Sequence, residues 1–129
     1  MIHQVEGTYC AEAASEGFDP VGPNDSQGYI AHVATRALIF IEADEPAIAL
    51  MCLMAVGMVE VSSCVVTAEE GQRVRKGDHI GYLQFGGSTH CLIFRPGAIA
   101  GFALQAIPQG RNGASSVAVK VNSLLAIAS

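Results

Sequence analysis

Short apolar runs separated by turns rich in Gly, Pro, Asn and Asp follow one another along this chain. Runs of that length, enriched in β-branched residues, predict strands. Residues 5–10 read as a short strand. Residues 12–27 collect Gly, Pro, Asn, Asp and Ser and read as a long loop, of a length that in a small domain is often functional. Residues 29–41 predict a strand, and residues 42–46 a turn. Residues 48–66 are ambiguous. Their Ala, Leu and Met content favours helix, whereas their continuous apolarity fits a buried strand bent at Gly57. Strand is the reading for at least the second half, with Met51, Met54 and Met58 as core filler.

Residues 69–81 predict two tight turns at Gly71 and Gly77 around one inward Val74. His79, beside the second turn, is expected in solvent. Residues 82–85 and 90–94 read as strands joined through Gly86-Gly87-Ser88-Thr89. Residues 102–107 predict another strand, 109–113 a turn, and the alternating residues 117–121 a closing strand. Short strands between Gly-rich turns imply an all-β fold, a small barrel or sandwich.

Composition narrows the picture. A chain of 129 residues suits a single domain spanning 1–129. With 50% hydrophobic and 15% charged residues, global disorder is excluded. Trp is absent, so the core must rest on Ala, Val, Ile, Leu and Met. The net charge of −5 argues against a nucleic-acid partner, since the one basic cluster (Arg73, Arg75, Lys76) is flanked by Glu69, Glu70 and Asp78. The longest apolar run, residues 46–59, is too short for a membrane span, which needs about 20 residues. The first residues lack the pattern of a secretory signal, so a cytoplasmic location is expected. Cys10, Cys52, Cys64 and Cys91 form no C-x-x-C pair, so buried reduced thiols are expected and no metal site.

The stretch with chemistry in it is Phe85-Gly86-Gly87-Ser88-Thr89-His90-Cys91. Two glycines free the backbone ahead of a hydroxyl. A strained peptide bond there can undergo an N-to-O acyl shift, and the resulting ester can eliminate to leave an N-terminal pyruvoyl group. Ser88 therefore reads as a pyruvoyl precursor, as a hydrogen-bonding residue in a pocket, or as part of a hairpin turn. His90 follows on a strand, either facing a cleft as acid or base or serving the structure. His32 and Arg36, four residues apart, would share one strand face, where they could hold a carboxylate or lie half in solvent. Glu60 interrupts an apolar run and is either paired in a site or turned outward.

Residues 74–89, Val-Arg-Lys-Gly-Asp-His-Ile-Gly-Tyr-Leu-Gln-Phe-Gly-Gly-Ser-Thr, resemble the phosphatidylserine decarboxylase family. Residues 55–61 resemble its apolar strand with a Val-Gly element, and residues 34–40 its Arg-containing strand. The likeness runs over residues 5–94, and the Gly-Gly-Ser-Thr-His-Cys form is similar to soluble relatives that act on amino acids or small metabolites. The resemblance implies a proenzyme that cuts itself between Gly87 and Ser88. Ser88 would then become a pyruvoyl group that serves as an electron sink while carbon dioxide leaves.

The family's upstream His-x-Pro segment has no counterpart here, and His3 has no Pro at the required spacing. Asn122 stands where relatives tend to have Gly. The reading drawn from these features is an enzyme of small-molecule metabolism that keeps the family pocket but has lost self-processing. It would have no cofactor and would run an isomerisation or cyclisation. Ser88, Thr89, His90 and His32 are its candidate catalytic residues, and Arg36, Gly86, Gly87 and Glu60 its candidate substrate-binding residues. Two alternatives stand beside it: a pyruvoyl-dependent decarboxylase of an amino acid or phosphatidylserine, and a non-catalytic binding or regulatory remnant. The expected partners are a small-molecule substrate and a second copy of the chain, in a homodimer or larger homo-oligomer, because a shortened barrel would expose strand edges.

Overall fold

A computed structural model describes residues 1–7, 27–57, 63–84, 89–110 and 115–129. The all-β expectation holds. The strands are β1 (Ile2–Val5), β2 (Arg36–Glu42), β3 (Leu50–Val56), β4 (Ser63–Val66), β5 (Gly81–Gln84), β6 (Thr89–Phe94), β7 (Ile99–Phe102) and β8 (Ala126–Ala128). One short helix, α1 (Gln27–Val33), precedes β2. The strands form a four-stranded sheet in the order β1-β2-β3-β6 and two antiparallel pairs, β4-β5 and β7-β8. No closed barrel forms among the described residues.

The chain divides into two compact units, Met1–Ile41 with Cys52–Ile93, and Glu42–Met51 with Phe94–Ser129. In the first unit β1 runs antiparallel to β2, with Ile2 opposite Ile39 and Val5 opposite Arg36. The open end of the β2-β3 pair is tied by the Gly57 amide, which donates to the Thr35 carbonyl at 2.8 Å.

Strand parity sorts the side chains of this sheet. The even-numbered Met54 and Val56 face α1, where Val56 (1% exposed) packs with Ile30 and Ala34. Ile30 and Ala34 are one helical turn apart, so α1 buries a single stripe. Burying side chains such as Ile30 and Val56 is worth roughly 1.5–3 kcal/mol each, more than the propensity of so short a helix could supply. The odd-numbered Ala37, Ile39, Leu53 and Ala55 face the other way and share a cavity with β4 and β5.

In the second unit Ala98 is buried, and the Ser129 amide closes on the Ala98 carbonyl at 3.1 Å. The β7-β8 register shifts between Ile99 and Gly101.

Four of the expected elements are corrected. The first strand is Ile2–Val5, not residues 5–10, of which 8–10 lie outside the described residues. The segment 29–41 begins as helix and turns to strand only at Arg36, because Ile30 and Ala34 find a partner in Val56 at helical spacing. Residues 102–107 are the end of β7 followed by a 3-10 turn, Leu104–Ala106. Residues 117–121 alternate in sequence but form no strand. Val117 and Val121 are 67% and 91% exposed, so the alternation has no buried face to serve.

Elsewhere the reading agrees with the structure. The ambiguous run 48–66 contains strands on both sides of residues 58–62, which lie outside the described residues together with most of the predicted loop. Gly71 and Gly77 take φ of +79° and +93°, as tight turns require. Asn122 takes φ of +63°, a conformation that Asn tolerates better than most residues, which accounts physically for Asn where Gly is common.

Candidate active site

Four of the eight candidate residues, Glu60, Gly86, Gly87 and Ser88, lie outside the described residues. The strands that flank residues 85–88 are informative in their place. They are not partners of each other: β5 pairs with β4, whereas β6 lies beside β3. The two strands therefore belong to different sheets, and the three readings of Ser88 fall on residues outside the described ones.

Thr89 opens β6 and is half-buried. His90 follows, exposed, and lines an open cavity bordered by β2, β3, β4 and β5. The cavity measures about 280 Å³. Ala37, Leu53 and Ala55 form its wall on the large sheet, and Cys64, Ile80 and Tyr82 line it from the β4-β5 pair. Tyr82 is steadied from outside. Its ring stacks on the His79 imidazole, and His79 Nδ1 lies 3.1 Å from Thr67 Oγ1. Cys64, Tyr82 and the two alanines were not singled out from sequence. The odd-numbered parity of β2 and β3 could have found the alanines, but the facing β4-β5 wall depends on pairing between distant segments.

His32 and Arg36 are not side by side on a strand. His32 belongs to α1 and donates from Nδ1 to the Gly28 carbonyl one turn back, at 2.7 Å. Arg36 begins β2, and its Nη1 donates to the carbonyls of Ala31 (3.0 Å) and His32. A guanidinium on the last carbonyls of a helix satisfies orphan acceptors and complements the helix dipole. Arg36 Nε is buried without a hydrogen-bond partner among the described residues. Since Ala37 faces the cavity, the alternation of β2 turns Arg36 toward α1 and away from His90. The structure thus brings His90 to a cavity and gives Arg36 to the helix end.

Burial pushes the Cys64 thiol above its ordinary range, although backbone hydrogen bonds pull slightly the other way. Cys52 shifts in the same direction for the same first reason. A raised value favours the neutral thiol in the folded chain. The stability this contributes is fully present below the ordinary thiol range and is lost as pH rises through the raised value. Alkylation by iodoacetamide at pH 8 is accordingly expected to be at least about tenfold slower at Cys64 than at the less buried Cys91. Peptide mapping of partially alkylated protein checks this, and equal labelling of the two would contradict it. Among the described residues no cluster of His, Cys, Asp and Glu could hold a metal ion, and no helix is long and apolar enough to cross a membrane.

No solved structure matches the chain. Decarboxylase iboD of Amanita muscaria is 48% identical over 101 residues, covering 78% of this chain and 27% of that protein. The L-tryptophan decarboxylase of Psilocybe cubensis is 42% identical over 102 residues, covering 73% of this chain and 23% of that protein. Phosphatidylserine decarboxylase proenzyme 3 of Schizosaccharomyces pombe is 32% identical over 95 residues, covering 74% of this chain and 9% of that protein. The chain thus spans about a quarter or less of the length of these relatives. The family model for phosphatidylserine decarboxylase matches residues 2–118, and the chain belongs to the phosphatidylserine decarboxylase family.

Proposed function

We propose that this chain carries the self-processing serine and part of the substrate pocket of an amino-acid decarboxylase. The observation that carries the reading is the position of Gly86-Gly87-Ser88-Thr89. The strands on either side of it in the sequence belong to different sheets, and the following one, β6, carries His90 into the lining of an apolar cavity. The names of the two most similar relatives described above, a decarboxylase and an L-tryptophan decarboxylase, support the reaction class.

The side chains present fit a pyruvoyl group formed from Ser88. His90, two residues after Ser88 in the sequence, lines a mainly apolar cavity, which would bring an imidazole able to handle protons together with apolar walls that lower the local polarity. The group, when formed, supplies the electron sink that lets carbon dioxide leave. The protein's share is positional. The apolar walls bind and orient the substrate side chain, and His90 returns a proton to the substrate α-carbon.

Intact-mass spectrometry of the purified chain tests the proposal. Two fragments, residues 1–87 and 88–129, are expected, and the second should carry a keto group that hydroxylamine traps. A single uncut mass overturns the reading. That outcome would restore the non-decarboxylative alternative, isomerisation or cyclisation around an intact Ser88, which no feature of the described residues favours.

A further inference from the structure

The cavity is selective by virtue of what its walls lack. Among its described lining residues there is no Lys, Arg, Asp or Glu. The nearest strand cation in sequence, Arg36, is turned toward α1 and occupied by two carbonyls. Cys64 Sγ lies within sulfur hydrogen-bond range of the Thr35 and Ala55 carbonyls, at 3.9 and 3.7 Å, so its donor is directed to backbone. A phosphate or carboxylate placed inside would lose its hydration and gain no cation in exchange. An uncharged apolar group would lose nothing on entry.

The dimensions point the same way. A dry apolar cavity of about 150 Å³ is enough to bind benzene in another protein. The cavity here, about 280 Å³, therefore has room for a larger group. The room exists because the large sheet contributes alanine at both Ala37 and Ala55, where bulkier residues would close it. Besides the Cys64 thiol, the polar side chains of the lining are those of His90 and Tyr82, which suits a ligand with an apolar body and a polar end.

We infer that this cavity is a binding pocket for an uncharged, apolar ring system of up to two fused rings, with the polar end of the ligand held at the His90 rim. The substrate class thus named rests on the decarboxylase reading, but ligand binding does not. The pocket belongs to the folded chain whether or not Ser88 is processed.

The absence of Trp makes the test direct, because indole emission can be read without a Trp background. Indole titrated into the full chain, and separately into an uncut Ser88→Ala chain, is expected to give a saturable blue shift and a rise in anisotropy. Ala55→Leu, which fills the cavity from the large sheet, is expected to weaken binding by about tenfold or more. Val66→Phe does the same from the β4 side, so the test survives if one variant fails to fold. O-phosphoserine at the same concentration is expected not to displace indole.

A linear, unsaturable titration overturns the pocket, and so does displacement by O-phosphoserine or unchanged binding in both folded filling variants. Saturable binding to an uncut wild-type chain would sink the decarboxylase reading and leave the pocket standing. Clean cutting without binding would do the reverse.

Discussion

On the decarboxylase proposal, replacing Ser88 by Ala is expected to abolish the cut after Gly87 completely and to reduce carbon dioxide release to the uncatalysed background. The chemistry allows no partial substitute. Ser88 Oγ must attack the Gly87 carbonyl carbon, converting the peptide bond to an ester and freeing the Ser88 nitrogen. Loss of the α-proton with departure of the Gly87 carboxylate then leaves a double bond at residue 88. Water replaces the nitrogen, which departs as ammonia, and a ketone remains. Alanine has neither the nucleophile nor the leaving oxygen. A drop of at least about 10³-fold in product formation is expected for a residue on which the whole covalent route depends.

Ser88→Cys keeps a nucleophile and a leaving group at the same position, so it should cut slowly rather than not at all. Intact mass and carbon dioxide release measured on the same samples check both variants. If Ser88→Ala still decarboxylates at the wild-type rate, the serine is not the source of the chemistry, and the pocket must act by another means.

What sequence could and could not reveal follows from the range of the interactions involved. The turns at Gly71 and Gly77 were legible because a positive φ is a demand on one residue. The strand Leu50–Val56 was half legible. Its apolarity declared it buried, but only neighbouring strands decide between helix and sheet. Helix α1 was misread as strand because Tyr29, Ile30 and Val33 look β-like alone. Its identity depends on Ile30 and Ala34 meeting Val56, more than 20 positions away in the chain. Residues 117–121 failed for the opposite reason, since alternation is necessary for a half-buried strand but does not create a partner.

At the site, the Gly-Gly-Ser-Thr stretch was plain in the sequence. The separation of its flanking strands into two sheets was not, because β5 finds β4 and β6 lies beside β3 only through long-range pairing. The same limit explains Arg36. Spacing from His32 suggested a shared strand face, whereas a helix end between the two residues gives the guanidinium carbonyls to hold.

Gly7→Ala is expected to be the most damaging conservative change in the described part of the chain. A Cβ at Gly7 would stand 2.2 Å from the Ala34 carbonyl carbon and 2.4 Å from both the Ala34 oxygen and the Thr35 nitrogen. All three are backbone atoms, so no side chain can swing aside to relieve the overlap. The strand end that leads out of β1 would have to move away from the junction between α1 and β2. That junction holds Ala34, which is buried beside Ile30 and Val56, and Thr35, whose carbonyl accepts from Gly57. One methyl group therefore sets the core contact of α1 against the β1-β2 register.

A loss of about 3 kcal/mol is expected, at the upper end of overpacking costs, with a fall in Tm of roughly 10 °C. Gly28→Ala makes the same chemical change in α1, where nothing lies within 4 Å of the new Cβ. It should stabilise the chain by about 0.5–1 kcal/mol through helix propensity and reduced freedom of the unfolded state. Urea denaturation of the two variants side by side separates close approach from the general cost of altering a glycine. Equal effects of the same sign would mean that the contact between Gly7 and the Ala34–Thr35 backbone does not govern stability.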